Sequence, residues 1–343
     1  MTSPLDRLRA QPEVTSRHRL LPGSALFAAL ILLPLLAGAA GLYLGDMILA
    51  LALACYTYSV QLQWRYLGIM NISVGGIAGV GAYVTGLLWV KTGLPFALAL
   101  LAALLGGAVL GAAVGFAALR VQGHYFLLVG FGVAELLRIL TSNLRDLTGG
   151  SGGLVLDGEA HLIVPLRPGD VGLYLALAVI CAASAAAIIG LRRTAYGTRL
   201  IAMRDSHRMA TALGMRTRRD RVGLFALATL PATAGGALVG VHQVTLTPNM
   251  FGGMLGLLAV VTMLIGGSST VFGPLLGAAI VMLLPRYAGL DPVANQILYA
   301  IVLVVVILLA PQGLGGAVGR AAATMQGWLG RHRATPPRSD EET

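Results

Sequence analysis

Runs of about twenty predominantly apolar residues follow one another almost without a break, and this feature alone excludes most folds. They lie at about 23–44, 46–64, 67–90, 94–119, 125–144, 171–191, 222–246, 253–267, 269–285 and 294–311. A helix of roughly 20 residues rises about 30 Å, the thickness of a bilayer's hydrocarbon core. Charged residues make up 11% of the chain and the mean hydropathy is +0.81, whereas soluble domains carry about 25% charge. A soluble fold is excluded. The expected fold class is an all-α integral membrane protein, with about ten transmembrane helices in a Gly-rich bundle. The runs at 253–267 and 269–285 are short and share the hinge Gly-Gly-Ser-Ser-Thr; eight or nine full spans result if that pair is re-entrant.

One long hydrophilic segment orients the rest. Residues 192–221 hold nine arginines against Asp205 and Asp220, and an arginine at a helix centre costs roughly 2.5–3.5 kcal/mol on insertion scales. The positive-inside rule places this arm in the cytoplasm. Ten spans then put both chain ends there too, with Arg65 and Arg120, and leave Lys91, Arg145, Arg167 and Arg286 on the far side. The organisation expected is a cytoplasmic N-tail (1–19), a transmembrane domain (20–316) and a cytoplasmic, partly disordered C-tail (317–343). Residues 145–170, rich in Gly, Asp and Pro, read as a structured outer loop. Ala37–Ala39 faintly matches a signal-peptidase site, but further spans follow directly, so an uncleaved first helix is expected. The net charge of +10 gathers in tails and loops, which points to membrane topology and anionic lipid, with no nucleic acid.

Glycines recur at four-residue spacing: Gly107, Gly111 and Gly115, and the pairs Gly75/Gly79, Gly236/Gly240, Gly252/Gly256 and Gly273/Gly277. Small residues let helix backbones approach in lipid, so these stripes predict close packing and no chemistry. The third run opens with Asn71 and Ser73, followed by Gly75 and Gly76. Interrupted helices often border a substrate path, and tight packing with local hydrogen bonds explains the same residues. Glu135 lies near the middle of a run, with Arg138 one turn on. The pair reads as a structural ion pair or as a functional intramembrane site.

Cys55 and Cys181 sit in apolar runs and read as packing residues. No two histidines have metal-ligand spacing on one helix, so no metal site is expected. The single lysine, Lys91, is not part of a phosphate-binding loop, so any ATP hydrolysis belongs to another chain. Within the arm, Asp205 or Ser206 can cap a short helix running to Leu213 with Gly214 as its stop. Such a basic-edged helix fits a groove on a soluble partner or the lipid surface.

Several segments together resemble the LivM-type permeases of ATP-binding-cassette importers for branched-chain amino acids, over nearly all of residues 40–316. They are Gly-Ala-Tyr at 81–83, RVQGHYFLLVGFGVAELLR at 120–138, LTGGSGGL at 147–154, TAYGTRLIAMRDSHRMATALGM at 194–215, GGSSTVFGPLLGA at 266–278 and PQGLGG at 311–316. The resemblance implies a non-enzymatic permease subunit in a bacterial inner membrane. It implies a homologous permease partner, two cytoplasmic ATPases carrying ATP and Mg, and an outer solute-binding protein. It makes the arm the ATPase-coupling element, through Tyr196, Gly197, Arg204, Asp205, Arg208, Ala210 and Gly214. The spacing from Ala210 to Gly214 matches the end of the Glu-Ala-Ala-x-x-x-Gly pattern of such loops; Arg208 and Met209 depart from it. Ser73-Val74-Gly75-Gly76 departs from the Ser-Leu-Gly-His usual in M-type members. Branched-chain amino acids are the solute implied, with urea, short amides or other amino acids as the alternative. A secondary transporter using Glu135 is the alternative class.

Overall fold

The computed structural model describes residues 43–288, apart from 119–120, 122–124, 157–159, 162–164, 168–169, 213–214, 216 and 269. Its first helix, α1 (Leu44–Leu67), stops at Gly68, whose φ of 68° lets its N–H turn back to the Trp64 carbonyl. Only glycine adopts that left-handed conformation without strain. After a non-helical stretch at 68–73 come α2 (Val74–Gly86), continued by a π turn at Leu87–Lys91, then α3 (Phe96–Ala118) and α4 (Tyr125–Asn143). A short α5 (Arg145–Thr148) leads through strands β1 (Leu154–Val155), β2 (Ala160–His161) and β3 (Pro165–Leu166) to α6 (Val171–Leu191). The arm carries α7 (Ala195–Asp205) and α8 (His207–Ala212). There follow α9 (Thr217–Ala228), α10 (Leu230–Gln243), β4 (Thr245–Leu246), α11 (Gly253–Gly266) and α12 (Gly273–Ala288).

Seven helices among the described residues are long and apolar enough to cross a membrane, with Gly273–Leu283 a shorter eighth. They coincide with the second to eighth apolar runs. The first and last runs, both tails and Ala37–Ala39 lie outside the described residues. The pair at 253–285 forms two distinct helices joined through 267–272. Arg65, in the last turn of α1, falls at the same end as the arm, where Arg204 donates to its carbonyl. Lys91 falls at the other, bonded to the Asp146 and Leu147 carbonyls.

Two expectations need correction. The run at 46–64 is helical to Leu67, and the next helix starts at Val74 rather than 67. The 192–221 arm is helical and short: α9 begins at Thr217, so Arg218, Arg219 and Arg221 stand on the first turns of a spanning helix. The fold is mostly helical, and to the all-α expectation the loops add two small antiparallel ribbons, β1 with β4 and β2 with β3. These give the 145–170 loop its structure, because Leu154 lies opposite Leu246 and both are buried.

The glycine stripes pack as their spacing predicts. A side chain at Gly107, Gly111 or Gly115 of α3 would collide with Thr233, Thr229 and Phe225 respectively. These partners step back by four residues as the glycines step forward, so the two helices run antiparallel at backbone distance. The Thr229 hydroxyl donates to the Gly107 carbonyl at 3.0 Å. Pro231 follows, and its missing N–H accounts for the break between α9 and α10.

Candidate functional site

The arm is built by a short turn after α6. Thr194 caps α7, its Oγ1 accepting from the Gly197 N–H at 3.1 Å. Gly197 must be small, because a Cβ there would run into the Leu191 carbonyl oxygen. Extended backbone at Ser206 separates α7 from α8, and the Ser206 carbonyl accepts from the Ala210 N–H at 3.1 Å. This agrees with the helix expected after Asp205 or Ser206; Leu213 and Gly214 lie outside the described residues, as does the Arg208 side chain.

Helix α7 has two faces. Gly197, Leu200 and Met203 are buried against the membrane helices, while Ala195, Thr198, Arg199, Ala202 and Asp205 form an exposed stripe with helical spacing. The sequence-selected residues divide between them. Asp205 faces outward. Tyr196 faces inward, its hydroxyl donating to the Asp220 carbonyl at 2.7 Å. Burial, helped by the nearby Asp220 carboxylate, pushes the Tyr196 hydroxyl above its ordinary pKa. Arg204 also turns toward the membrane domain and donates from Nη1 to the Arg65 carbonyl at 2.8 Å. Ala210 is buried. Thr198, Arg199 and Ala202 are members of the outward stripe that sequence reasoning missed, although their i, i+4, i+7 offsets from Asp205 and Ala195 were readable.

Replacing Tyr196 by Phe should lower stability by about 1 kcal/mol, read as a fall in melting temperature of the purified chain. The raised Tyr196 pKa favours the protonated native state. Its contribution is therefore full below about pH 10, the ordinary tyrosine value, and is lost as pH rises through the native value; the Phe variant should lack this alkaline loss.

A second cluster lies at the middle of the bundle, where two helices begin. Asn71 and Ser73 are fully buried in the break before α2, with Asn71 Oδ1 accepting from the Ser73 N–H at 2.9 Å. The break packs on α4 at Gly130, where an added Cβ would lie 2.9 Å from Asn71 Oδ1. Gly75 meets the backbone of Gly252 and Gly256, and Gly256 meets the Ile72 carbonyl. A side chain at Gly76 would sit 2.8 Å from Ala134 Cα. A side chain as large as histidine therefore has no room here, and glycine at 76 goes with close approach of α2 to α4.

Glu135 and Arg138 border the same node. Arg138 Nε donates to Glu135 Oε2 at 2.6 Å and Nη1 to Asn249 Oδ1 at 3.1 Å. Glu135 Oε1 accepts from the Gly253 N–H, the first of α11, at 2.9 Å. A carboxylate at a helix N-terminus satisfies an otherwise unpaired N–H and opposes the helix dipole. The pair thus clamps α4 to α11.

Sequence reasoning missed the polar centre of α1. Tyr56, Tyr58, Ser59, Gln61 and Gln63 are fully or nearly fully buried, and the Gln61 amide donates to the Thr270 carbonyl at 2.6 Å. The Tyr56, Tyr58 and Ser59 hydroxyls and both polar atoms of Gln63 have no partner among the described residues, and the same is true of Asn71 Nδ2 and Ser73 Oγ. Buried polar groups are normally satisfied, so these atoms call for partners beyond the described residues. The signal was present as two glutamines and two tyrosines inside one apolar run. Cys55 and Cys181 lie 3.4 Å apart between α1 and α6, buried as free thiols.

A profile for the permease component of branched-chain amino acid transport systems matches residues 47–310. The chain belongs to that permease family. The permease is similar to the high-affinity branched-chain amino acid transport system permease protein LivM of Escherichia coli (strain K12), at 26% identity over 271 residues. Its counterpart in Salmonella typhimurium (strain LT2) is equally similar. Each match covers 72% of this permease and 64% of the relative, so the alignment spans a little under two thirds of the relatives' length. No solved structure matches at a comparable level. The matched region takes in nearly all of the seven described spanning helices, the break at 68–73 and the arm, and makes the protein a multi-pass membrane transport component.

Proposed function

We propose that this permease is one half of the membrane part of an ATP-binding-cassette importer for branched-chain amino acids. It pairs with a homologous permease in a bacterial inner membrane. Two cytoplasmic ATPases hold the ATP and Mg, and a solute-binding protein delivers amino acid from outside. The observation that carries the reading is the division of α7. One face is fixed to the membrane helices through Gly197, Leu200 and Met203, and the other, with Thr198, Arg199 and Asp205, is exposed. An element held on one side and open on the other can pass a push from a docked partner into the bundle. Alternating access follows, with the spans rocking as the ATPases close.

The solute path is assigned to the node of Asn71, Ser73, Gly75 and Gly76, with the polar centre of α1 as a neighbouring wall. Unpartnered donors and acceptors there suit a small polar solute, and urea or a short amide would meet the same groups. Glu135 does not support a proton-coupled transporter, because its two carboxylate oxygens are engaged by Arg138 and Gly253.

A charge change on the outward stripe, Ala202→Glu with Asp205→Arg, should abolish co-purification of the ATPases while leaving the melting temperature unchanged. A cysteine introduced at Thr198 should react with an impermeant maleimide only after cells are opened. Labelling in intact cells would invert the orientation and remove the coupling role of the arm.

A further inference from the structure

We propose that Arg204 transmits movement of the arm into the broken segment at 68–73, instead of touching the ATPase. This rests on the importer reading and adds a positioning residue to it. Arg204 is itself exposed, but it follows the buried Gly197 by seven residues and Leu200 by four, which places it on their side of α7. Its Nη1 donates to the Arg65 carbonyl at 2.8 Å, in the last turn of α1. A guanidinium at a helix C-terminus meets carbonyls that lack an intrahelical donor and the negative end of the dipole.

The stem of the same side chain covers Gly68. A Cβ on Gly68 would lie 3.4 Å from Arg204 Cγ and 3.5 Å from Nε. Gly68 is where α1 ends, in a left-handed conformation with its N–H on the Trp64 carbonyl. Arg204 therefore holds the last turn of α1 and the first residue of the break at once. The break then runs to Ile72, whose carbonyl touches Gly256 of α11, and to Asn71, which packs on Gly130 of α4. Displacement of α7 thus reaches the starts of α2 and α11 through one side chain. Two other polar contacts of the arm, Tyr196 on the Asp220 carbonyl and Arg199 with the Asp220 carboxylate at 3.9 Å, lead into α9 and bypass the break.

The test uses the full transporter in proteoliposomes, with both permeases, the ATPases and the binding protein. Arg204→Met keeps the stem over Gly68 and removes the donors. Co-purified ATPase and ATP hydrolysis should stay near wild type, while solute moved per ATP falls about tenfold, the size of an ordinary coupling between sites. Arg204→Lys can still donate to the Arg65 carbonyl and should restore most of that ratio. Gly68→Ala, which strains the hinge, should lower it as R204M does. Should R204M fail to fold, Arg204→Gln repeats the measurement.

Loss of the ATPases from R204M would make Arg204 a docking contact and overturn the proposal. A wild-type transport ratio in R204M would overturn it equally. Absence of ATPase-dependent uptake by the wild-type assembly would instead reject the importer reading.

Discussion

Gly75→Val is expected to destabilise the permease by about 3 kcal/mol, near the upper end for overpacking. The added Cβ would fall on the Gly252 carbonyl oxygen and 2.7 Å from the Gly256 nitrogen. Both obstacles are backbone, so no side chain can rotate away. Retreat of α11 is opposed on the same face, because Gly256 already lies against the Ile72 carbonyl. The helices must separate, and close packing is the main force holding them together in lipid. Gly106→Ala provides the control: nothing lies within 4 Å of its added Cβ, and alanine is the better helix former by about 1 kcal/mol. Thermal unfolding of the purified chains compares the two. If G75V melts with G106A, the contact between α2 and α11 is not as close as described.

Glu135→Leu is expected to cost about 2–3 kcal/mol, and Glu135→Gln distinctly less. Leucine leaves the Gly253 N–H without its acceptor and Arg138 with only Asn249, and an unmet charge in a low-dielectric setting is expensive. Glutamine keeps an oxygen for the Gly253 N–H and loses the charge and the acceptor for Arg138 Nε. The side chains of Glu135 and Arg138 are 25–31% exposed, which places the cost below that of a fully buried pair. In reconstituted transporter, E135Q should retain ATP-driven uptake. Uptake driven by a proton gradient alone and abolished in E135Q would establish the ion-coupled alternative.

The glycine stripes were legible because a four-residue repeat on a helix can only describe one face, and in lipid that face is a packing face. Gly107, Gly111 and Gly115 meet Thr233, Thr229 and Phe225 as that argument requires. The interruption at Asn71 and Ser73 was legible too, since small and polar residues at the head of an apolar run weaken the helix there. The direction of Arg204 was not. Its charge placed it in the arm, but an arginine suits a docking surface and a helix C-terminus equally, and only the position of α1 beneath α7 separates the two.

Glu135 shows the same limit. Its spacing to Arg138 announced the ion pair, yet its other partner, Gly253, lies 118 residues away, and no local pattern reveals such a neighbour. The polar centre of α1 was passed over because its tyrosines, serine and glutamines raise the polarity of the run too little to break it. Their significance appears only when surrounding helices bury them and leave most of their polar atoms without a partner among the described residues.

Apolar run length, arginine placement and glycine spacing, all properties of the chain read in one dimension, determined that this protein is a closely packed helical membrane component with a basic arm between spans. Tertiary structure alone decided which face of α7 is held and which is open, that Arg204 reaches α1, and that Glu135 caps α11. The physical reason is that helix formation and membrane insertion depend on residues a few positions apart. A hydrogen bond between helices depends on where distant segments come to rest.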